Sequence, residues 1–139
     1  MPTVSRTAAS LRIIGDNLVP EEISRLLNKQ PDAAVARGET VLSKSGAPRV
    51  AHTGRWSLKT ERSTSGDLDS QIQTLLAGTT TDINVWQNIT SRFQADVFCG
   101  LFLQEMNEGL VISPITLKLL GDRGIELSLD VYAGPDHES

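Results

Sequence analysis

The chain is poor in the residues that most often carry chemistry. Its one cysteine, Cys99, has no partner within the chain for a disulfide, which agrees with a reducing compartment. Its two histidines, His52 and His137, stand far apart and fall into no ligand spacing, so no metal centre is expected. A glycine-rich phosphate loop is missing as well: "GDNLVPEE" and "GDRG" have neither the glycine spacing nor the lysine. Without a nucleotide, metal or redox signature, the sequence predicts no cofactor and no catalytic constellation. No apolar run approaches the roughly 20 residues that span a bilayer, and the opening "MPTVSRTAAS" lacks the apolar segment of a secretory signal. A cytoplasmic protein with no membrane partner is the expectation. Asn88-Ile89-Thr90 then reads as a chance match to the glycosylation sequon. A formal net charge of −4 argues against duplex nucleic acid, whose phosphates need a basic surface.

What is present is patterned. Hydrophobic residues at 39% and charged residues at 22% fit one globular domain, expected over residues 1–139 with fraying at 1–6 and 134–139. "TAASLRII" alternates, with Ala9, Leu11 and Ile13 on one side and Ser10 and Arg12 on the other, which predicts a strand. "VPEEISRLLNKQ" has Pro20 in a first turn, acids at the positive end of the helix dipole and a stripe of Ile23, Leu26 and Leu27. "TVLSKSGAPRV" holds turn residues between two short extended pieces. In "GRWSLK", Trp56 and Leu58 share a face opposite Arg55, Ser57 and Lys59, a strand with one dry and one wet side. "RSTSGD" reads as a loop, after which Asp67 and Asp82 cap two further helices, "LDSQIQTLLAG" and "DINVWQNIT". "FQADVFCGLFLQ" alternates again, placing Asp96, Phe98 and Phe102 opposite Ala95, Val97, Cys99 and Leu101. "EMNEG" suggests a hairpin loop into a short strand "LVI". Ser113 and Pro114 open a helix closed by Gly124, and "IELSLDVYA" ends the chain with Leu127, Leu129 and Val131 inward and Ser128, Asp130 and Tyr132 outward.

Pro20, Ile23 and Leu26 echo Pro114, Leu117 and Leu120, each set on a helix between two strands. The echo suggests two related halves, and so an α+β ferredoxin-like sandwich. Its sheet would be mostly antiparallel, with about five to six strands, two main helices and a central helix on one face. The same order of signals, "PEEISRLL", "GRWSL", "DLDSQIQTLL" and "GIELSLDVY", resembles the bacterial family catalogued as domain of unknown function 4279. The resemblance covers nearly the whole chain and implies a bacterial, intracellular, single-domain protein. Its motifs are structural and bring no activity with them.

The stretch "HTGRWSLKTE" concentrates the most varied side chains, but His52 and Ser57 fall on opposite faces of a regular strand, so no nucleophile–base pair forms there. Trp56 beside Leu58 reads as core. The informative surface is the sheet face that helices leave open, which alternation assigns to Arg12, Arg55, Ser57, Lys59, Asp96, Phe98, Phe102, Asp130 and Tyr132. Aromatic and arginine enrichment is typical of interfaces. Either the hairpin covers Phe98 and Phe102, or the face is open to self-association as a homodimer, with Arg12 and Arg55 of one subunit meeting Asp96 or Asp130 of the other. A non-enzymatic interaction protein of accessory or immunity type is the expectation from size, charge and lack of chemistry, and the acidic balance suits a basic protein partner. The alternative is a small-molecule or catalytic pocket between sheet and helices lined by Arg12, Arg55 and Asp130. Single-stranded nucleic acid on the aromatic rings is opposed by the charge.

Overall fold

The computed structural model describes residues 3–60 and 67–133. In chain order it runs β1 (Arg6–Gly15), α1 (Pro20–Leu27), β2 (Ala33–Val35), β3 (Thr40–Leu42), β4 (Pro48–Val50) and β5 (Gly54–Lys59). Then come α2 (Leu68–Ala77), α3 (Ile83–Arg92), β6 (Gln94–Phe102), α4 (Pro114–Arg123) and β7 (Glu126–Tyr132). Five strands form one sheet in the order β2-β5-β1-β6-β7, while β3 and β4 make a separate hairpin. Every pair in the main sheet is antiparallel except β6 with β7. The molecule is α+β, with a mostly antiparallel sheet. Its two halves are not equivalent: β1–α1–β2 straddles β5, whereas β6–α4–β7 joins adjacent parallel strands. The ferredoxin-like plan, in which both such units are split around a third strand, therefore describes the first half alone.

The helices begin where the sequence places oxygen acceptors. Asp67 accepts from the Ser70 amide at 3.1 Å, Asp82 from the Asn84 amide at 2.9 Å and Ser113 from the Thr116 amide at 3.3 Å. Proline opens α1 without a side-chain cap, and the helix ends on Asn28 in the left-handed region. Gly124 ends α4 at φ 75°, and a Cβ there would stand 2.8 Å from Thr90 Oγ1, so both conformation and space demand glycine. Arg123 is buried in the last turn of α4, where the helix dipole favours a cation and the Leu119 carbonyl accepts from Nη1 at 3.1 Å.

The core fills the space between the helices and one face of the sheet. Leu11, Ile13, Trp56, Val97 and Cys99 supply the sheet side, and Ile23, Leu27, Ile72, Trp86 and Ile89 the helix side, all fully buried. Each indole nitrogen finds an acceptor: Trp56 Nε1 donates to Ser24 Oγ and Trp86 Nε1 to the Thr80 carbonyl, both at 3.0 Å. A buried polar clasp fixes α2 over β1. Thr7 Oγ1 lies 2.6 Å from Gln71 Oε1, and Gln71 Nε2 donates to the Thr7 carbonyl at 3.1 Å.

Three expectations are corrected. Residues 3–6, expected to fray, are tied down: Val4 is core, its amide donates to the Gly109 carbonyl at 3.0 Å, and Ser5 Oγ donates to Glu108. "LVI" forms no strand, because β1 and β7 already occupy both sides of β6; Leu110 and Ile112 pack against the core instead. Leu129 and Val131 point to the helix side but stay 53% exposed, since β7 is an edge strand that the helix layer does not reach across. The loop expected at 62–67 lies outside the described residues except for Asp67, as do residues 134–139.

Replacing Trp56 by alanine removes a fully buried indole and its bond to Ser24. Urea denaturation should show a loss of about 3–5 kcal/mol. Burial, with a smaller contribution from Asp96, pushes the Cys99 thiol up to about 12 from an ordinary 9.0. The unfolded chain therefore releases this proton first. The stability owed to the protonated thiol is whole below about pH 9 and falls as pH rises towards 12. A Cys99→Ala variant, measured over the same range, should lack that part of the alkaline decline.

Candidate functional site

The open face is built by five rows that cross the sheet. Arg55 stands beside Ile14 and Gln94; Ser57 beside Arg12, Asp96 and Glu126; Lys59 beside Ser10, Phe98 and Ser128. Further along, Gly100 lies between Ala8 and Asp130, and Phe102 between Arg6 and Tyr132. Alternation thus puts every residue expected on this face there. It adds Arg6, and the outward residues Ser10, Glu126 and Ser128 stand in the same rows.

The rows are linked by specific contacts. Asp96 is buried, and Arg12 grips it with a two-pronged fork: Nε to Oδ1 at 2.9 Å and Nη2 to Oδ2 at 2.7 Å. Ser128 Oγ donates to the same carboxylate at 3.1 Å, tying β7 to β6 and β1. The fork between Arg12 and Asp96 raises the Arg12 pKa, with burial opposing and the charge of Asp96 assisting. The same guanidinium lies over the Phe98 ring, 4.4 Å from its centroid. Two rows on, Phe102 and Tyr132 stack at 4.8 Å with an interplanar angle of 5°, and the Arg6 guanidinium stands 5.1 Å from the Phe102 centroid. Phe98 and Phe102 are half-buried by these strand neighbours, and Tyr132 is exposed.

Several expected groupings do not form. Arg12 and Asp96, expected to meet across two subunits, pair within one chain. Arg12 lies level with Asp96, whereas Asp130 lies level with Gly100, four residues further along β6. That separation is about 13 Å at the rise of a strand. A pocket lined by Arg12, Arg55 and Asp130 is therefore not assembled. Two shallow grooves of about 550 and 530 Å³ flank α1, one beside Asn28 and Lys29, the other between Leu26 and Val85, and none of those three residues lines either. His52 is exposed in the β4–β5 connection, and His137 lies outside the described residues. Among the described residues no three His, Cys, Asp or Glu side chains gather to hold a metal, and no helix is long and apolar enough to cross a membrane.

Removing Arg12 alone would leave the Asp96 carboxylate buried with Ser128 as its remaining side-chain partner. Arg12→Ala should cost about 3 kcal/mol in urea denaturation. The double variant Arg12→Ala/Asp96→Ala should recover part of that loss, since no charge is then stranded.

Comparison with known proteins is consistent with a chain whose recognisable features are structural. No curated protein and no solved structure matches it. A family model described as a domain of unknown function, DUF4279, matches residues 5–134, which takes in the sheet, its four helices and the whole open face. The chain belongs to the DUF4279 family.

Proposed function

We propose that this chain is a non-enzymatic interaction protein, a bacterial cytoplasmic protein of accessory or immunity type, that receives a protein partner on its open sheet face. The observation that carries this reading is the aromatic and arginine array of Arg12, Phe98, Phe102 and Tyr132 on the side of the sheet away from the helices. Its side chains are held by neighbours before any partner arrives, so little rotamer freedom is left to lose on binding. Aromatic rings and arginines also contribute disproportionately at protein interfaces. Two groups that acid–base or nucleophilic chemistry could use are engaged: Asp96 by Arg12 and Ser128, and Cys99 by burial in the core.

Charge divides the face. Arg55 and Lys59 stand on β5, Glu126 and Asp130 on β7, and the Arg12–Asp96 pair between them. A basic partner seats its cations over the β7 side and its apolar surface over Phe102 and Tyr132.

Affinity capture from the chain's own cell lysate tests this. Immobilised wild type and a Leu42→Ala control on the remote β3–β4 hairpin should retain a basic protein that Phe102→Ala and Asp130→Arg lose. Retention of the same protein by both face variants, or turnover of a small molecule by the wild type, would contradict the reading.

A further inference from the structure

The edge of the sheet at β7 is a second surface, distinct from the open face. The opposite edge is protected: β2 has three residues, as short edge strands do when they avoid pairing. β7 has seven residues without a proline or a lysine, and no strand pairs with its outer side among the described residues. Leu103 donates its amide to the Tyr132 carbonyl at 2.9 Å, which turns the main-chain groups of Tyr132 towards β6. Alternation then turns the amides and carbonyls of Leu127, Leu129 and Val131 outward, away from the sheet. Leu129 and Val131 are 53% exposed beside those outward groups, and α4, which packs on β7, carries Ile115 and Leu117 at 69% and 52% exposure.

We infer that β7 pairs antiparallel with β7 of a second copy, about a two-fold axis through Leu129. The sequence of the strand, ELSLDVY, selects this register. Centred on Leu129, the pairing sets Leu129 against Leu129, Leu127 against Val131, Ser128 against Asp130 and Glu126 against Tyr132. Apolar side chains meet on the helix side, and no like charges stand directly opposite on the open side. Shifting the axis to Ser128 sets Glu126 against Asp130, and shifting it to Asp130 sets that carboxylate against its own copy. Both shifts place like charges directly opposite, which destabilises a strand pair. Axes at Leu127 or Val131 avoid that clash but leave fewer residues of the strand paired. The outward amides fit the same choice, because Leu129 and its copy then form a hydrogen-bonded pair, and so do Leu127 and Val131.

The dimer has a continuous ten-stranded sheet, two copies of five strands, with all the helices on one side. Its open side joins the two binding faces, and the Glu126 and Asp130 carboxylates of both copies line its centre. A partner with a basic two-fold surface is the one this arrangement suits. The edge contact itself does not depend on the reading of the open face.

Analytical ultracentrifugation across a concentration series, together with a cysteine crosslink, tests the pairing. Wild type should sediment at twice the chain mass at high micromolar concentration. Leu129→Lys, which sets two ammonium groups opposite each other on the axis, should sediment at the chain mass with an unchanged circular dichroism spectrum. Hydrogen-bonded residues of an antiparallel pair have Cα atoms about 5.5 Å apart, within disulfide reach. Leu129→Cys should therefore oxidise to a covalent dimer. It is made with Cys99→Ala, because Cys99 stands in register with Leu129 inside the sheet. Val19→Cys in the same background, exposed on another surface, should not crosslink. A monomeric wild type, a dimer that survives Leu129→Lys, or a dimer in which Leu129→Cys fails to crosslink would each overturn the proposal. If Leu129→Lys loses its fold, the crosslink alone decides.

Discussion

β1 has a hydrogen-bonded neighbour on each side, β5 and β6, so its alternation sets that of the sheet. Its odd positions, Ala9, Leu11 and Ile13, are 1%, 0% and 0% exposed beneath the helices. Its even positions, Arg6, Ser10 and Arg12, line the open face. A slip of one residue would drive Arg12 into the core and bring Leu11 into water. The Arg12–Asp96 fork and the Thr7–Gln71 clasp mark the two sides of this strand with polar contacts that no other register reproduces. Fold and candidate site therefore rest on one constraint. The alternation that builds the core also aligns Arg12 with Asp96 and Arg6 with Phe102.

The open face is held in order by a polar network for a physical reason. Asp96 is 6% exposed, and a carboxylate removed from water is tolerated only where its oxygens are satisfied. Three donors reach it, two from Arg12 and one from Ser128. Arg12 is thereby fixed in a plane that covers Phe98, so the polar network also orders the aromatic one. A lysine could supply the charge but neither the fork nor the flat surface over the ring. Buried ion pairs of this kind add little net stability against an apolar replacement. Their effect here is to define geometry.

Much of this was legible in the sequence because it is written in short-range grammar. Asp67, Asp82 and Ser113 cap the helices that follow them, and the alternation around Trp56 and Val97 assigns each residue to the correct face. What could not be read depends on which strands become neighbours. Leu129 alternates like a core residue, yet it is exposed because β7 falls at an edge. "LVI" resembles a strand, but β6 had no free side to receive it. β2 is three residues of "AAV" with little pattern, and it exists because β5 had a free side. Arg6 was missed because the segment before Thr7 carries no signal of the anchoring that Gly109 and Glu108 provide. The Arg12–Asp96 pair lay among the expected residues, but its two members stand 84 positions apart and only the register joins them.

One side of the sheet is sealed by helices, and the other is left open with its rings in place. Nuclear magnetic resonance with a paramagnetic cosolvent measures this most directly, through the relaxation of assigned aromatic ring protons. The rings of Phe98, Phe102 and Tyr132 should relax strongly with added cosolvent, while those of Trp56 and Trp86 should stay nearly unaffected. If Phe98 and Phe102 prove as protected as Trp56, the face is covered in solution, and the binding role assigned to it would be wrong.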